Sequence, residues 1–105
     1  GQYTTFYADG KENISGYYLN GEKNGLWTYY EEGGLKIKEE NYKEGKKDGR
    51  WLSWFPNGKP ESEINYKLDK KHGKIKTLDR NGNVIYEALY SNGKLQKTVV
   101  KSKNP

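Results

Sequence analysis

Glycine recurs every 24 residues along this chain, at Gly10, Gly34, Gly58 and Gly82, and tyrosine keeps the same step at Tyr18, Tyr42, Tyr66 and Tyr90. A fixed period of this length is the signature of a repeat architecture and restricts the fold more than any other feature. Gly1, Gly25, Gly49 and Gly73 form a third column, although Gly1 is also where a cloning remnant would stand. Two further columns stay bulky: Tyr3, Trp27, Trp51, Ile75 and Val99, and Phe6, Tyr30, Trp54 and Leu78. A sixth, Gly21, Gly45 and Gly93, is broken by Asp69.

Each period reads as a β-hairpin. Asp9-Gly10, Gly33-Gly34, Asn57-Gly58 and Asn81-Gly82 are dipeptides that tolerate the positive φ angles of a tight type I′ turn. Strands preceding these turns are predicted near residues 2 to 7, 26 to 31, 50 to 55 and 74 to 79. Strands following them are predicted near 11 to 18, 35 to 43, 59 to 67 and 83 to 90. The second connection, at 20 to 24, 44 to 48 and 68 to 72, reads as longer and more polar. Even-numbered positions such as Ile64, Tyr66, Tyr86, Ala88 and Tyr90 are apolar beside polar odd neighbours such as Glu61, Glu63 and Asn65. One face is therefore expected inside and the other wet. The two bulky columns stand three residues apart, which an ideal strand cannot place on one face, so a bulge or strong coiling is expected in the strand that carries them.

The predicted object is an all-β, elongated, curved antiparallel meander of tandem 24-residue hairpins. It is one domain over residues 1–101, with repeats at about 1–24, 25–48, 49–72 and 73–96, a partial closing strand at 97–101 and a frayed tail at 102–105. About nine strands at about 4.8 Å each give a sheet on the order of 40 Å long. The chain holds only eighteen Leu, Ile, Val and Phe in 105 residues, but fifteen aromatics, so order must come from aromatic packing and backbone pairing.

Segments such as Asn41-Tyr42-Lys43-Glu44-Gly45-Lys46-Lys47-Asp48-Gly49-Arg50-Trp51 and Pro56-Asn57-Gly58-Lys59 resemble the repeat of the bacterial MORN-repeat variant family, over about residues 1 to 96. The resemblance implies curved sheets of tandem hairpins. Members include YwqK-like antitoxins, thought to neutralise a toxin by binding it, and exported surface proteins, and eukaryotic relatives are linked to membrane lipids and to scaffolding. It carries over no catalytic residue. The fourth repeat departs from the pattern at Ile75, Leu78 and Asp69.

Chemistry is sparse in the sequence. With no Cys and one His, thiolate and multi-histidine metal sites are excluded. His72 falls in the polar column of Asn24 and Asp48 and reads as a turn residue. Glu31 and Glu32, Glu39 and Glu40, and Glu61 and Glu63 lie along strands rather than converging in a pocket. The glycines mark turns, not phosphate loops. No catalytic, cofactor or metal role is assigned, and the chain reads as a non-catalytic module.

The columns Trp27, Trp51, Tyr30, Trp54, Tyr18, Tyr42, Tyr66 and Tyr90, with Gly34, Gly58 and Gly82, are read as structural. Tyr17, Tyr29 and Phe55 stand where other repeats carry Asn, Ser, Thr, Glu or Asp, so they are the candidate partner-binding aromatics. Residues 1 to 45 carry a net charge of −3 and residues 46 to 105 a net charge of +8. Lys46, Lys47, Lys70, Lys71 and Lys94 fall at equivalent slots and form a candidate basic ridge suited to an acidic surface.

A protein partner is expected, in an antitoxin-like or surface-adaptor role. The alternatives are glycan or choline-like ligands held between aromatic hairpins, and weak attachment to anionic lipid. No helix or binding module for sequence-specific nucleic-acid reading is present. A Cys-free, Met-free chain without its own start favours a location outside the cytoplasm.

Overall fold

A computed structural model describes residues 1–102. Eleven strands follow one another: β1 (Gln2–Phe6), β2 (Glu12–Leu19), β3 (Glu22–Lys23), β4 (Gly25–Tyr30), β5 (Lys36–Lys43), β6 (Lys46–Lys47), β7 (Gly49–Trp54), β8 (Pro60–Lys67), β9 (Lys70–Leu78), β10 (Val84–Ser91) and β11 (Lys94–Lys101). No described residue is helical. All strands join one open antiparallel sheet in the order β1-β2-β4-β5-β7-β8-β9-β10-β11, with β3 paired to β2 and β6 to β5. The Cα trace spans 43 × 32 × 12 Å. Nine strands side by side account for the length, and 12 Å leaves room for one layer only. Of the expected tail, residues 103–105 lie outside the described residues.

The turns are distributed differently from expectation. At Gly10, Gly34, Gly58 and Gly82 only the glycine has positive φ, and Asp9, Gly33, Asn57 and Asn81 do not. The Gly10 N–H donates to the Tyr7 carbonyl at 2.9 Å, and the Tyr7 N–H to the Lys11 carbonyl at 2.8 Å. This is a type I turn closed by a left-handed glycine, and the same bonds recur at Glu31, Phe55 and Asp79. The true type I′ turns are in the second connection, where both central residues are left-handed: Asn20-Gly21, Glu44-Gly45, Leu68-Asp69 and Asn92-Gly93. That connection is therefore two residues long, not longer as expected. The intervening residues continue the strand as β3, β6 and the start of β9.

The bulge lies in the other strand of the hairpin. Register slips by one residue opposite Thr5/Phe6, Tyr29/Tyr30 and Ser53/Trp54, and between Val84 and Tyr86, so Asn13, Ile37, Glu61 and Ile85 are the unpaired residues. The two bulky columns take opposite faces. Trp51 is paired with Ile64, whereas Trp54 lines a trough with Arg50, Leu52, Glu63 and Lys76 on the other side.

One face carries the apolar row. Tyr3 pairs with Gly16, Trp27 with Glu40, Trp51 with Ile64, and Ile75 with both Ile64 and Ala88. Trp27, Ile75 and Ala88 are its buried members, with Trp27 1% exposed. Trp27 lies directly over Gly16, where a Cβ would enter its ring. Its Nε1 donates to the Tyr17 carbonyl at 3.2 Å, as Trp51 Nε1 does to Asn41 at 2.8 Å. Beside this row, Tyr42, Tyr66 and Tyr90 stand opposite Gly25, Gly49 and Gly73.

Adjacent hairpins are stitched at the I′ turns. The N–H groups of Gly45, Asp69 and Gly93 each donate at 2.8 Å to the carbonyls of Lys23, Lys47 and Lys71. The side chains of Asn24, Asp48 and His72 accept from the N–H of Glu44, Leu68 and Asn92. His72 lies inside β9 and not in a turn as expected, because the connection is only two residues long; its Nδ1 braces the next turn instead. In the fourth repeat β9 runs unbroken from Lys70 to Leu78, where earlier repeats split at Asn24 and Asp48.

Candidate functional site

A single layer has no interior in which to build an enclosed site, so side chains that act on another molecule must stand on one of its two faces. The face with Trp27 and Trp51 carries most of the chemistry. Tyr3, Tyr18 and Trp27 form one ring cluster, with centroids 5.0 to 5.4 Å apart. Tyr42, Trp51 and Tyr66 form a second, with centroids 5.2 and 5.3 Å apart. Edge-to-face pairs at these separations stabilise by about 0.5 to 1.5 kcal/mol beyond their buried area.

A lysine caps each step. Lys23 Nζ lies 4.6 Å from the Trp27 ring and 5.1 Å from Tyr42; Lys47 Nζ lies 4.8 Å from Trp51 and 5.0 Å from Tyr66; Lys71 Nζ lies 5.4 Å from Tyr90. Strand alternation explains the regularity. Lys23, Lys47 and Lys71 pair with Tyr18, Tyr42 and Tyr66, which fixes all three on the aromatic face.

Glu40 interrupts this face, occupying the column of Gly16, Ile64 and Ala88. It is 7% exposed. Lys38 Nζ stands 3.3 Å from one carboxylate oxygen, and the Tyr42 hydroxyl donates to the other at 3.0 Å. Lys23 donates to the Tyr29 hydroxyl at 3.2 Å. Burial first, and then the Glu40 carboxylate, push the Tyr29 and Tyr42 phenols well above the ordinary tyrosine range. Both Glu40 carboxylate oxygens thus have a partner. Among the described residues no group of three or more His, Cys, Asp or Glu is placed to hold a metal.

Two hollows flank Leu78, where the fourth repeat replaces an aromatic with a smaller side chain. One opens beside Ser53, Ser62, Ile64 and Thr77 on the aromatic face and is closed by Phe55, Leu78, Arg80 and Ile85, with a volume near 590 Å³. The other, near 300 Å³, lies on the opposite face between Trp54, Leu52, Pro60 and Leu78.

The candidate aromatics do not form one patch. Tyr17 pairs with Gln2 on the opposite face and is exposed. Tyr29 is half-buried on the aromatic face between Lys23 and Lys38. Phe55 rims the larger hollow under Arg80, 6.0 Å from its ring. The lysine ridge also divides. Lys46 and Lys70 pair with Lys43 and Lys67, and Lys94 with Ser91, on the opposite face, while Lys47 and Lys71 lie on the aromatic one. Adjacent residues of a strand cannot share a face. Sequence reasoning passed over Lys23 and Gly16, and it read Glu40 as one of a solvated pair of strand acids, whereas Glu40 is buried on the aromatic face. For Lys23 the signal was present, since it stands 24 residues before Lys47.

Residues 47–68 and 71–92, each spanning the lysine, the tight hairpin and the tyrosine described above, match the MORN repeat variant family. Two of the hairpin periods thus match that family's repeat. The hairpins ending in Tyr18 and Tyr42 follow the same geometry ahead of the matched stretches. MORN repeats are generally non-catalytic and associated with protein or membrane-lipid interactions. No curated protein matches the chain.

Proposed function

We propose that this chain is a non-catalytic binding module that engages a protein partner through its aromatic face. The observation that carries this reading is the 590 Å³ hollow bounded by Phe55, Ile64, Leu78 and Ile85. It opens on the same face as the ring clusters and gives an otherwise flat layer an apolar socket for one large side chain. Buried aromatic or aliphatic anchors in such sockets dominate protein interfaces, and truncating one costs about 2 to 4 kcal/mol. An antitoxin-like or immunity role, in which binding itself neutralises the partner, is the specific form of the proposal and draws its support from the family resemblance.

Choline-like or glycan ligands are disfavoured by the same geometry, because ring faces that would receive them already carry the ammonium groups of Lys23, Lys47 and Lys71. The test is to isolate a partner with the wild-type chain and measure its affinity for Thr77→Trp, which fills the hollow, and for Phe55→Ala, which removes its wall. A loss of tenfold or more in both supports the socket. Unchanged affinity in both removes it.

A further inference from the structure

The lysines of the aromatic face are positioned to be read as a set. Lys23, Lys47 and Lys71 are 24 residues apart and occupy every second strand of the sheet, which sets them about 9.6 Å apart. Each ammonium is held over one or two rings at 4.6 to 5.4 Å. A ring contact of this kind orients the cation without neutralising it.

Among the described residues no acid forms an ion pair with these three lysines. Among the described residues the ion pairs are Lys36 with Glu39 and Lys38 with Glu40. Asp48 and Asp69, at the adjoining turns, accept the backbone N–H groups of Leu68 and Lys47. The ladder therefore presents three oriented positive charges without carboxylate partners, in a row perpendicular to the strands. The lysines of the opposite face differ: among the described residues, the ring contacts found for Lys47 and Lys71 do not extend to Lys46, Lys70 and Lys94.

A polyproline II segment advances about 3.1 Å per residue with three residues per turn, so residues i, i+3 and i+6 share one side at steps of about 9.3 Å. That step matches the lysine spacing. A β-strand fails the match, because residues three apart point to opposite sides.

We infer that the ligand of the aromatic face is an acidic peptide segment in polyproline II conformation, crossing the strands with carboxylates at i, i+3 and i+6 over Lys23, Lys47 and Lys71. This rests on the protein-binding reading above and specifies its chemistry. Carboxylate register over the three ring-held ammonium groups supplies the selectivity.

The experiment titrates the chain at physiological salt with a nine-residue peptide repeating Glu-Pro-Ala, following tryptophan fluorescence and peptide anisotropy. The control peptide has the same composition with its three glutamates consecutive. The repeating peptide is expected to bind at least tenfold more tightly. Lys47→Gln, which removes the central charge, is expected to lower that affinity at least fivefold, while the double variant Lys46→Gln/Lys70→Gln changes it less than twofold. Equal affinity for both peptides, or equal losses from both sets of lysine variants, would overturn the inference in favour of non-specific polyanion attraction. Retention on anionic phosphatidylserine vesicles at the same salt, with no preference between peptides, would overturn it in favour of a lipid surface. If neither peptide binds while Thr77→Trp still abolishes binding of the isolated partner, the acidic register is wrong and the socket reading stands.

Discussion

Gly16→Ala tests how this thin sheet is held together. Gly16 has no positive φ, so its backbone imposes no need for glycine. On backbone grounds alone, alanine in a strand would stabilise by about 0.5 to 1 kcal/mol through the lost flexibility of the unfolded chain. Packing gives the opposite sign. The new methyl would stand inside the Trp27 indole, in contact with Cδ2, Cε2 and Cε3. The ring must lift, which costs about 1 to 3 kcal/mol as overpacking. It also strains or breaks the Nε1 bond to the Tyr17 carbonyl, for about 1 kcal/mol more. The net expectation is a destabilisation of about 2 kcal/mol.

Urea unfolding followed by tryptophan fluorescence reads this as a midpoint lowered by about 1 to 2 M, given slopes of about 1 to 3 kcal/mol/M for small proteins. In a Trp27→Leu background the clash disappears, and Gly16→Ala is expected to become neutral or stabilising. A stabilising Gly16→Ala in the wild-type chain, or the same loss in both backgrounds, would refute the reasoning.

Leu68 occupies a left-handed turn position at φ 46° with no glycine beside it, so Leu68→Asn is expected to raise stability by about 1 kcal/mol in the same assay. Asp48→Ala leaves the Leu68 N–H without its 3.1 Å acceptor and is expected to cost about 1 kcal/mol, with hydrogen exchange accelerated at the Leu68-Asp69 turn. The raised Tyr29 and Tyr42 phenols stabilise the fold fully below the ordinary value of 10.0, and this contribution is lost as pH rises through their folded values. Absorbance titration of tyrosinate is accordingly expected to show a late-ionising fraction that shrinks in Tyr29→Phe/Tyr42→Phe, with Tyr86, raised by its bond to Tyr90, remaining.

How much of this was legible depends on which level set each feature. Hairpins and the single open sheet followed from the Gly and Tyr columns, because a period of 24 leaves few other solutions; strand bounds did not, since β3, β6 and the start of β9 fall in the expected connections and β11 begins at Lys94 rather than 97. The turn types did not. Asn57-Gly58 and Asn20-Gly21 look alike as dipeptides, but the closing bonds differ: a three-residue connection leaves only its glycine left-handed, and a two-residue connection makes both residues so. Leu68-Asp69 shows that the repeat enforces this geometry even where the residues resist it.

The candidate site was readable only in part. Tyr29 and Phe55 lie on the aromatic face or its rim, but Tyr17 is one residue out of phase with the Tyr18 column and points the other way. The five ridge lysines mixed two faces because neighbouring residues were treated as one slot. Gly16 could not be found from its own column, in which Glu40, Ile64 and Ala88 have nothing in common with it. Its role exists only once Trp27 is packed above it. The departure of the fourth repeat at Leu78 was legible in the sequence, but the hollows on either side of it were not.

The central claim is that the face with Trp51, not the one with Trp54, is the binding surface. The three tryptophans make it measurable, since Trp27 and Trp51 lie on the aromatic face and Trp54 on the other. The chain labelled with 5-fluorotryptophan would be examined by fluorine NMR, free and saturated with its isolated partner, with each resonance assigned by Trp→Phe substitution. A shifted or broadened Trp51 resonance beside an unmoved Trp54 resonance is the predicted result. A displaced Trp54 signal with Trp51 unchanged would contradict the account.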